Sequence, residues 1–265
     1  MPKSRQRKTT SSKAGKKQAA PTSAQGALPR VEEGKRILLH IGCGLKHDSK
    51  LPPFFDDKNW QEVRVDINPD VEPDIVADML DMQAIPDNYA DGLYSSHNLE
   101  HIYNYQVPTA LNEFYRVLKP GGQAMLTMPD IQAVAFQVAG GLWDQELYGS
   151  PAGSVTPRDI FYGHEPQLAK GKHYMAHKNG FTAHSLGRHL LKSNFSHVEV
   201  KRDDGYNLWA VGRKIPRDHK AFNGKAKISA SYSLAVVQRS HAGSDPARRT
   251  DELDREPKRW QAPQL

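Results

Sequence analysis

Apolar positions along the chain fall alternately into short unbroken runs and into helical spacing. Arg36–Ile41 (RILLHI) is an apolar run that ends at Gly42-Cys43-Gly44, which predicts a buried strand running into a tight turn. Further strands are predicted at Glu62–Ile67, Asp74–Ala77, Gly92–Ser96, Gln123–Met128, His197–Val200 and Asn207–Val211. Pro108 to Leu118 predicts a helix: Pro108 suits its first turn, and Ala110, Leu111, Phe114, Val117 and Leu118 make one face. Pro120-Gly121-Gly122 stops it. Ile131–Ala139 and Thr182–Ser193 predict two more helices, the second with Leu186, Leu190 and Leu191 on one side. Asp203-Asp204-Gly205 between the last two strands is a hairpin signal. The alternation implies an α/β fold with a doubly wound, mostly parallel seven-stranded sheet closed by an antiparallel hairpin. The first crossover segment, LKHDSKLPPFFDDKNW, contains Pro52-Pro53, so its helix is expected to be short or absent.

Composition sharpens the boundaries. The chain has 265 residues and a net charge of +6, unevenly spread. Residues 1–36 carry +8 and residues 214–265 carry +5, whereas 37–213 carry −7. Residues 1–33 are basic and nearly devoid of large apolar side chains, so they predict a disordered tail, although a basic, Ser-containing leader also resembles an organelle transit peptide. Residues 214–265 read as a second, mostly disordered tail, leaving 34–213 as the domain. Within it, 140–180 is a Gly-, Pro-, His- and Tyr-rich insertion of the length that serves as a lid or substrate loop. An acidic core disfavours a nucleic-acid surface there. One cysteine, Cys43, excludes an internal disulfide framework, and no apolar run reaches the roughly 20 residues of a membrane span. A cytoplasmic protein is the expectation.

Ligands of such sheets bind beyond the carboxyl ends of the strands, where strand order reverses. Gly42 and Gly44 allow close backbone approach. Asp66, at the second strand end, has the spacing at which a carboxylate accepts from ribose hydroxyls. Asp78, past the third strand, is placed to accept from an adenine amine, with Met79 packing on the ring. Each signal is weak alone; their order and spacing together predict a nucleoside-bearing ligand.

The segments LLHIGCG, VRVDIN, DIVADMLDMQAIP, DGLYSSHNLEHI and ALNEFYRVLKPGGQAMLTMPD resemble the class I S-adenosylmethionine-dependent methyltransferases, in particular methyltransferase type 11. The resemblance runs from about Ile37 to Gly212 and implies a Rossmann-like fold with S-adenosyl-L-methionine as cofactor. It assigns the methionine part to Gly42 and Gly44, ribose to Asp66 with Ile67 beside it, and adenine to Asp78 and Met79. Ser96 and His97 would lie beside the transferred methyl group. The third glycine of a dinucleotide fingerprint is missing (GCGLKH), which disfavours a nicotinamide dehydrogenase.

His97 is the expected general base, with Tyr162, His164, His173 and His177 of the insertion as substrate contacts. His97-Asn98-Leu99-Glu100-His101 matches the inverted zinc-protease motif H-x-x-E-H, but it directly follows a buried strand, and the resembling family shows the same letters without metal. His173 and His177, four apart, would share a helix face. No metal is expected at either set. The acceptor is expected to be a small molecule or carbohydrate, through oxygen, since no Asn/Asp-Pro-Pro-Tyr/Phe follows the fourth strand and no cysteine is placed for attack on a pyrimidine. Two alternatives stand beside this: an RNA or DNA methyltransferase tethered by its basic tails, and a catalytically inactive binding subunit of the same fold.

Overall fold

The computed structural model describes residues 28–46, 51–55, 58–150 and 152–229. In chain order the strands are β1 (Arg36–Ile41), β2 (Trp60–Asp66), β3 (Ile75–Val76), β4 (Ala90–Ser96), β5 (Leu118–Pro129), β6 (Tyr148–Ser150), β7 (Gly153–Val155), β8 (Ser196–Arg202), β9 (Asn207–Arg213) and β10 (Ala226–Ser229). The helices are α1 (Val107–Val117), α2 (Ile131–Ala139), α3 (Pro157–Tyr162), α4 (Glu165–Leu168) and α5 (Ala183–Lys192). The main sheet has the order β10-β8-β9-β5-β4-β1-β2-β3, with β6 and β7 forming a separate hairpin. Every pair in the main sheet is parallel except those of β9, which runs antiparallel to β5 and β8. This is the Rossmann-like arrangement, with order reversing between β1 and β4 and the predicted hairpin placed in the sheet.

The main core lies on one face. Leu39 and Ile41 of β1, Val63 and Val65 of β2, and Leu93 of β4 meet the buried stripe Ala110, Leu111, Phe114 and Val117 of α1 and Leu186 and Leu190 of α5. Helix α5 starts as its sequence predicts, with Thr182 and Ser185 forming a capping box. The opposite face is closed differently. Leu38, Phe55, Trp60, Tyr94, Met125 and Val211 form a second cluster with Leu51, Phe54 and Trp209 against it, and no helical residue belongs to it. Among the described residues of the β1–β2 connection there is no helix; Phe55 instead meets Trp60 edge-on, with ring centroids 5.1 Å apart. The proline pair prevents a crossover helix, and bulky rings take over its covering role.

Both domain edges lie further out than the composition predicts. Leu28 packs on the main core, and the backbone of Arg30 and Glu32 is bound by the Gln61 side chain, so the folded unit begins before residue 34. At the other end, β10 pairs with β8 and Ile228 packs on the core, which makes eight strands rather than seven. A four-residue strand in a Lys-rich context carries too little apolar signal to be read from sequence. The remaining tail residues, 1–27 and 230–265, lie outside the described residues. The 140–180 insertion is not irregular but holds β6, β7, α3, α4 and a 3₁₀ turn at His173–Met175. No helix among the described residues is long and apolar enough to cross a membrane.

His40 of β1 is buried, and its Nδ1 lies 2.6 Å from Glu62 Oε1 on β2. Burial works against the charge of Glu62, but the contact with His40 and the charges of His40, Arg64 and Lys46 outweigh it, so its carboxyl is held below the usual range. A depressed carboxyl pKa contributes stability that is fully present above the unfolded value, near 4.5, and is lost as pH falls through the folded one. Glu62→Gln is therefore expected to lower the urea midpoint at pH 7 and to flatten its decline below about pH 4.5, measured by urea unfolding across pH.

Candidate active site

The turn after β1 is built around backbone that side chains would obstruct. Gly42 and Gly44 have φ of +65° and +59°, in the left-handed region. A Cβ on Gly42 would fall 2.0 Å from Asn98 Oδ1. Asn98, just past β4, is held in place because its Nδ2 donates to Ile41 O at 2.8 Å and to Ser95 Oγ and Ser96 O at 3.0 Å each. The β1 and β4 ends are thereby stitched together by one amide that sequence reading did not single out.

Asp66 stands at the same edge. Its Oδ2 accepts from the Gly44 amide at 2.8 Å and its Oδ1 from the Asn68 amide at 2.9 Å. A carboxylate has about four lone-pair sites, so these two bonds fix its direction and leave capacity for a ligand's hydroxyls. The buried Arg64 guanidinium donates to the carbonyls of Gly44, Glu72 and Val71, tying the first turn to the segment after β2. Beside Asp66, Ile67 is 57% exposed, an apolar surface of the kind that packs on a planar base. Pairing of β2 with β3 continues as Ala77 donates to Asp66 O at 3.0 Å, which brings Asp78 to the same edge. Asp78 Oδ1 accepts from the Leu80 amide at 2.9 Å. Met79, the residue expected to pack on the adenine ring, is half-buried and also contacts the main core.

At the end of β4, His97 has φ +53°, and its amide donates to Thr127 O of β5 at 2.9 Å. Its side chain is 44% exposed, and its Nδ1 lies 3.3 Å from Oε1 of Glu100, whose side chain is 2% exposed. Desolvation opposes protonation of the imidazole, but the contact with Glu100, its charge and that of Asp203 prevail, so the His97 pKa is raised. Asp203 organises the terminal hairpin turn, accepting from the Gly205 and Asn207 amides and from Trp209 Nε1. Tyr148 of β6 stacks on Tyr206 of that turn with centroids 6.4 Å apart. Burial, then the charges of Asp203, Asp159 and Glu100, push its phenol pKa up, which places Tyr148 close to this acidic group.

The insertion residues separate. His177 lies against the end of β4: its ring centroid is 5.0 Å from that of His101, and the Lys178 and Asn179 amides donate to Glu100 O at 2.8 and 3.2 Å. His164 has both ring nitrogens buried without a hydrogen-bond partner. Tyr162 is 62% exposed and leans edge-on against Trp143. His173 is exposed on a single 3₁₀ turn, and His177 lies past that turn's end, so the expected His173/His177 helix face does not form. H-x-x-E-H is likewise not a helix face: His97 precedes a three-residue 3₁₀ turn at Leu99–His101 in left-handed backbone. Glu100, Asn98, Arg64 and Tyr148 were not read as functional residues. Glu100 and Asn98 sit inside the HNLEH string, where the zinc-protease pattern drew notice to the histidines instead.

The sheet is mostly parallel, with bare backbone after β1 and acids after β2 and β3, all at the strand ends where such sheets take their ligands. Residues 39–126 match the family model described as a methyltransferase domain. This stretch of the chain is similar to that family, and the match covers less than half of the 265 residues. Similar solved structures include a SAM-dependent methyltransferase from Archaeoglobus fulgidus (16% identity, 68% of this chain and 87% of that chain, TM-score 0.47). Another is a SAM-dependent methyltransferase from Methanosarcina mazei (16% identity, 69% and 94%, TM-score 0.46). A third is the Burkholderia thailandensis 1,6-didemethyltoxoflavin-N1-methyltransferase with bound 1,6-didemethyltoxoflavin and S-adenosylhomocysteine (15% identity, 69% and 72%, TM-score 0.43). No match to this sequence is found among the curated proteins.

Gly42→Ala and Gly121→Ala separate backbone strain from obstruction. Both glycines have positive φ, but a Cβ on Gly121 meets nothing within 4 Å. Gly121→Ala is expected to cost roughly 1–2 kcal/mol, and Gly42→Ala more, because Asn98 must give up its place. Urea unfolding of the two variants reads the difference, and equal losses would mean that Asn98 does not hold the turn.

Proposed function

We propose that the protein transfers the methyl group of S-adenosylmethionine to an oxygen of a small-molecule or carbohydrate acceptor, with His97 as general base. The observation that carries this reading is the placement of His97: half-open to solvent at the end of β4, one strand from the glycine turn, and backed by a buried carboxylate. Bound at the turn, the cofactor supplies an electrophilic methyl carbon on a positive sulfonium. Gly42 and Gly44 give its amino-acid end close backbone approach, Asp66 accepts from ribose hydroxyls, Ile67 covers one face of the adenine, and Asp78 accepts from its amine. Ser96 borders the methyl position.

The chain's own task is then to align the acceptor, keep water out and remove one proton. Alignment of this kind supplies roughly 7–11 kcal/mol in well-oriented systems. Glu100, contacting Nδ1, positions the His97 ring so that Nε2 takes the hydroxyl proton as the new bond forms. Tyr148 and Tyr206, stacked across the two hairpins, offer contacts on the acceptor side. The insertion residues Tyr162, His164, His173 and His177 are the candidate acceptor contacts, and of these His177 stands against the end of β4.

Asp66→Ala removes a charged acceptor, an interaction worth about 1.5–3 kcal/mol, so SAM affinity is expected to fall on the order of 10- to 100-fold by calorimetric titration. His97→Asn retains a residue tolerant of left-handed backbone. It is expected to leave SAM affinity within about twofold while kcat for labelled-methyl transfer drops roughly 10²–10⁴-fold. A screen of cell extract with labelled cofactor identifies the acceptor. Labelling of RNA or DNA that vanishes when residues 1–33 are deleted would favour the tethered nucleic-acid alternative instead.

A further inference from the structure

Glu100 presents an unsolved problem of charge. Its side chain is 2% exposed, neither carboxylate oxygen has a partner in hydrogen-bond geometry, and its one ion-pair contact is His97, whose Nδ1 lies 3.3 Å from Oε1. Among the described residues no lysine or arginine forms an ion pair with it. The ammonium of neighbouring Lys178 lies 5.4 Å over the Tyr103 ring. A buried carboxylate faced by a single long imidazole contact is costly, and a further cation would offset that cost.

The groups around it have the chemistry of ligands. Glu100, His101 and His177 each offer one ligand atom, all within 4.8 Å of one another. His101 Nδ1 lies 3.2 Å from Ala176 O, and His177 Nδ1 lies 2.6 Å from Ile160 O. A carbonyl only accepts, so in both rings Nδ1 carries the proton and Nε2 is the nitrogen with a lone pair to offer. This is the outer hydrogen bond that metal-bound histidines make, fixing tautomer and ring direction before any ion arrives. The backbone under each ligand is also held. Glu100 and His101 share one 3₁₀ turn, and His177 is fastened by its own amide to Tyr162 O at 3.1 Å, while the next two amides bind Glu100 O.

We propose that Glu100, His101 and His177 form a site for a divalent late first-row metal, zinc foremost, which clips the 140–180 insertion to the end of β4. Two imidazoles and one carboxylate suit zinc, and three protein ligands leave a position open for water or substrate. Ligands at about 2.0–2.2 Å around a tetrahedral ion stand roughly 3.3–3.6 Å apart, a spacing that the three atoms reach by closing no more than about 1.5 Å. The set differs from the one the H-x-x-E-H pattern suggests, since His97 is not a member and the second histidine comes from 76 residues beyond His101.

The test uses the full chain, stripped with a chelator and titrated with Co²⁺ by visible absorption and with Zn²⁺ by calorimetry. One equivalent is expected to bind, with the intense visible bands of four- or five-coordinate cobalt. His101→Ala and His177→Ala are each expected to weaken binding by more than about 100-fold, beyond the 10–100-fold that outer-shell partners command. His184→Ala, at an exposed position of α5, is expected to change nothing. His177→Cys covers the case of an alanine variant that misfolds: it is expected to keep one Co²⁺ and add a thiolate-to-cobalt charge-transfer band. Absence of stoichiometric binding, binding unmoved in both alanine variants, or no new band with the cysteine would overturn the site. SAM titration of the metal-free protein is read separately, so loss of the metal proposal and loss of the methyl-transfer reading are distinguishable.

Discussion

The hydrogen bond from the Gly44 amide to the Asp66 carboxylate is the tie on which the arrangement of the strand ends depends. Parallel pairing of β1 with β2 brings the two strand ends to one edge, but pairing alone does not aim the groups beyond them. The left-handed turn at Gly42 and Gly44 points an amide at Asp66, and Asp66 in return holds that amide and the Asn68 amide. Arg64 binds the Gly44 carbonyl from beneath. The carboxylate therefore stands pre-aimed, which lowers the ordering cost that a ligand would otherwise meet. Asn98 performs the matching task on the β4 side and excludes any side chain at Gly42.

The same edge gathers the acid–base groups because β4 and β5 end there as well. His97 and the Leu99–His101 turn follow β4 directly, and Thr127 of β5 fixes the His97 amide. The opposite, helix-free face shows how the sheet tolerates a proline-bearing first crossover: aromatic rings from that crossover and from β2, β4 and β9 shield it instead. On the far side of the strand ends the insertion meets the end of β4 through His177, Lys178 and Asn179.

Most of the sheet was legible because its strands are buried on both faces and read as uninterrupted apolar runs bounded by glycine or acid. Helix α2 was delimited residue for residue, since Asp130 caps it and Gly140-Gly141 ends it. The glycine-and-acid edge was legible for a related reason: Gly42, Gly44, Asp66 and Asp78 sit at strand ends, where spacing along the chain translates into proximity. What escaped depends on contacts between distant segments. His177 meets His101 only after the whole insertion folds back, Glu100 gains its meaning from burial, and β10 is too short and too polar to announce itself.

The central claim is that an adenosyl methyl donor is gripped between the Gly42–Gly44 turn and Asp66. A crystal structure of the protein with S-adenosylhomocysteine tests it directly. The account predicts both ribose hydroxyls within hydrogen-bond distance of the Asp66 carboxylate, with Ile67 against the adenine. A nucleoside bound at another edge of the sheet, or here with Asp66 still turned to the Gly44 and Asn68 amides and no ribose contact, would contradict it.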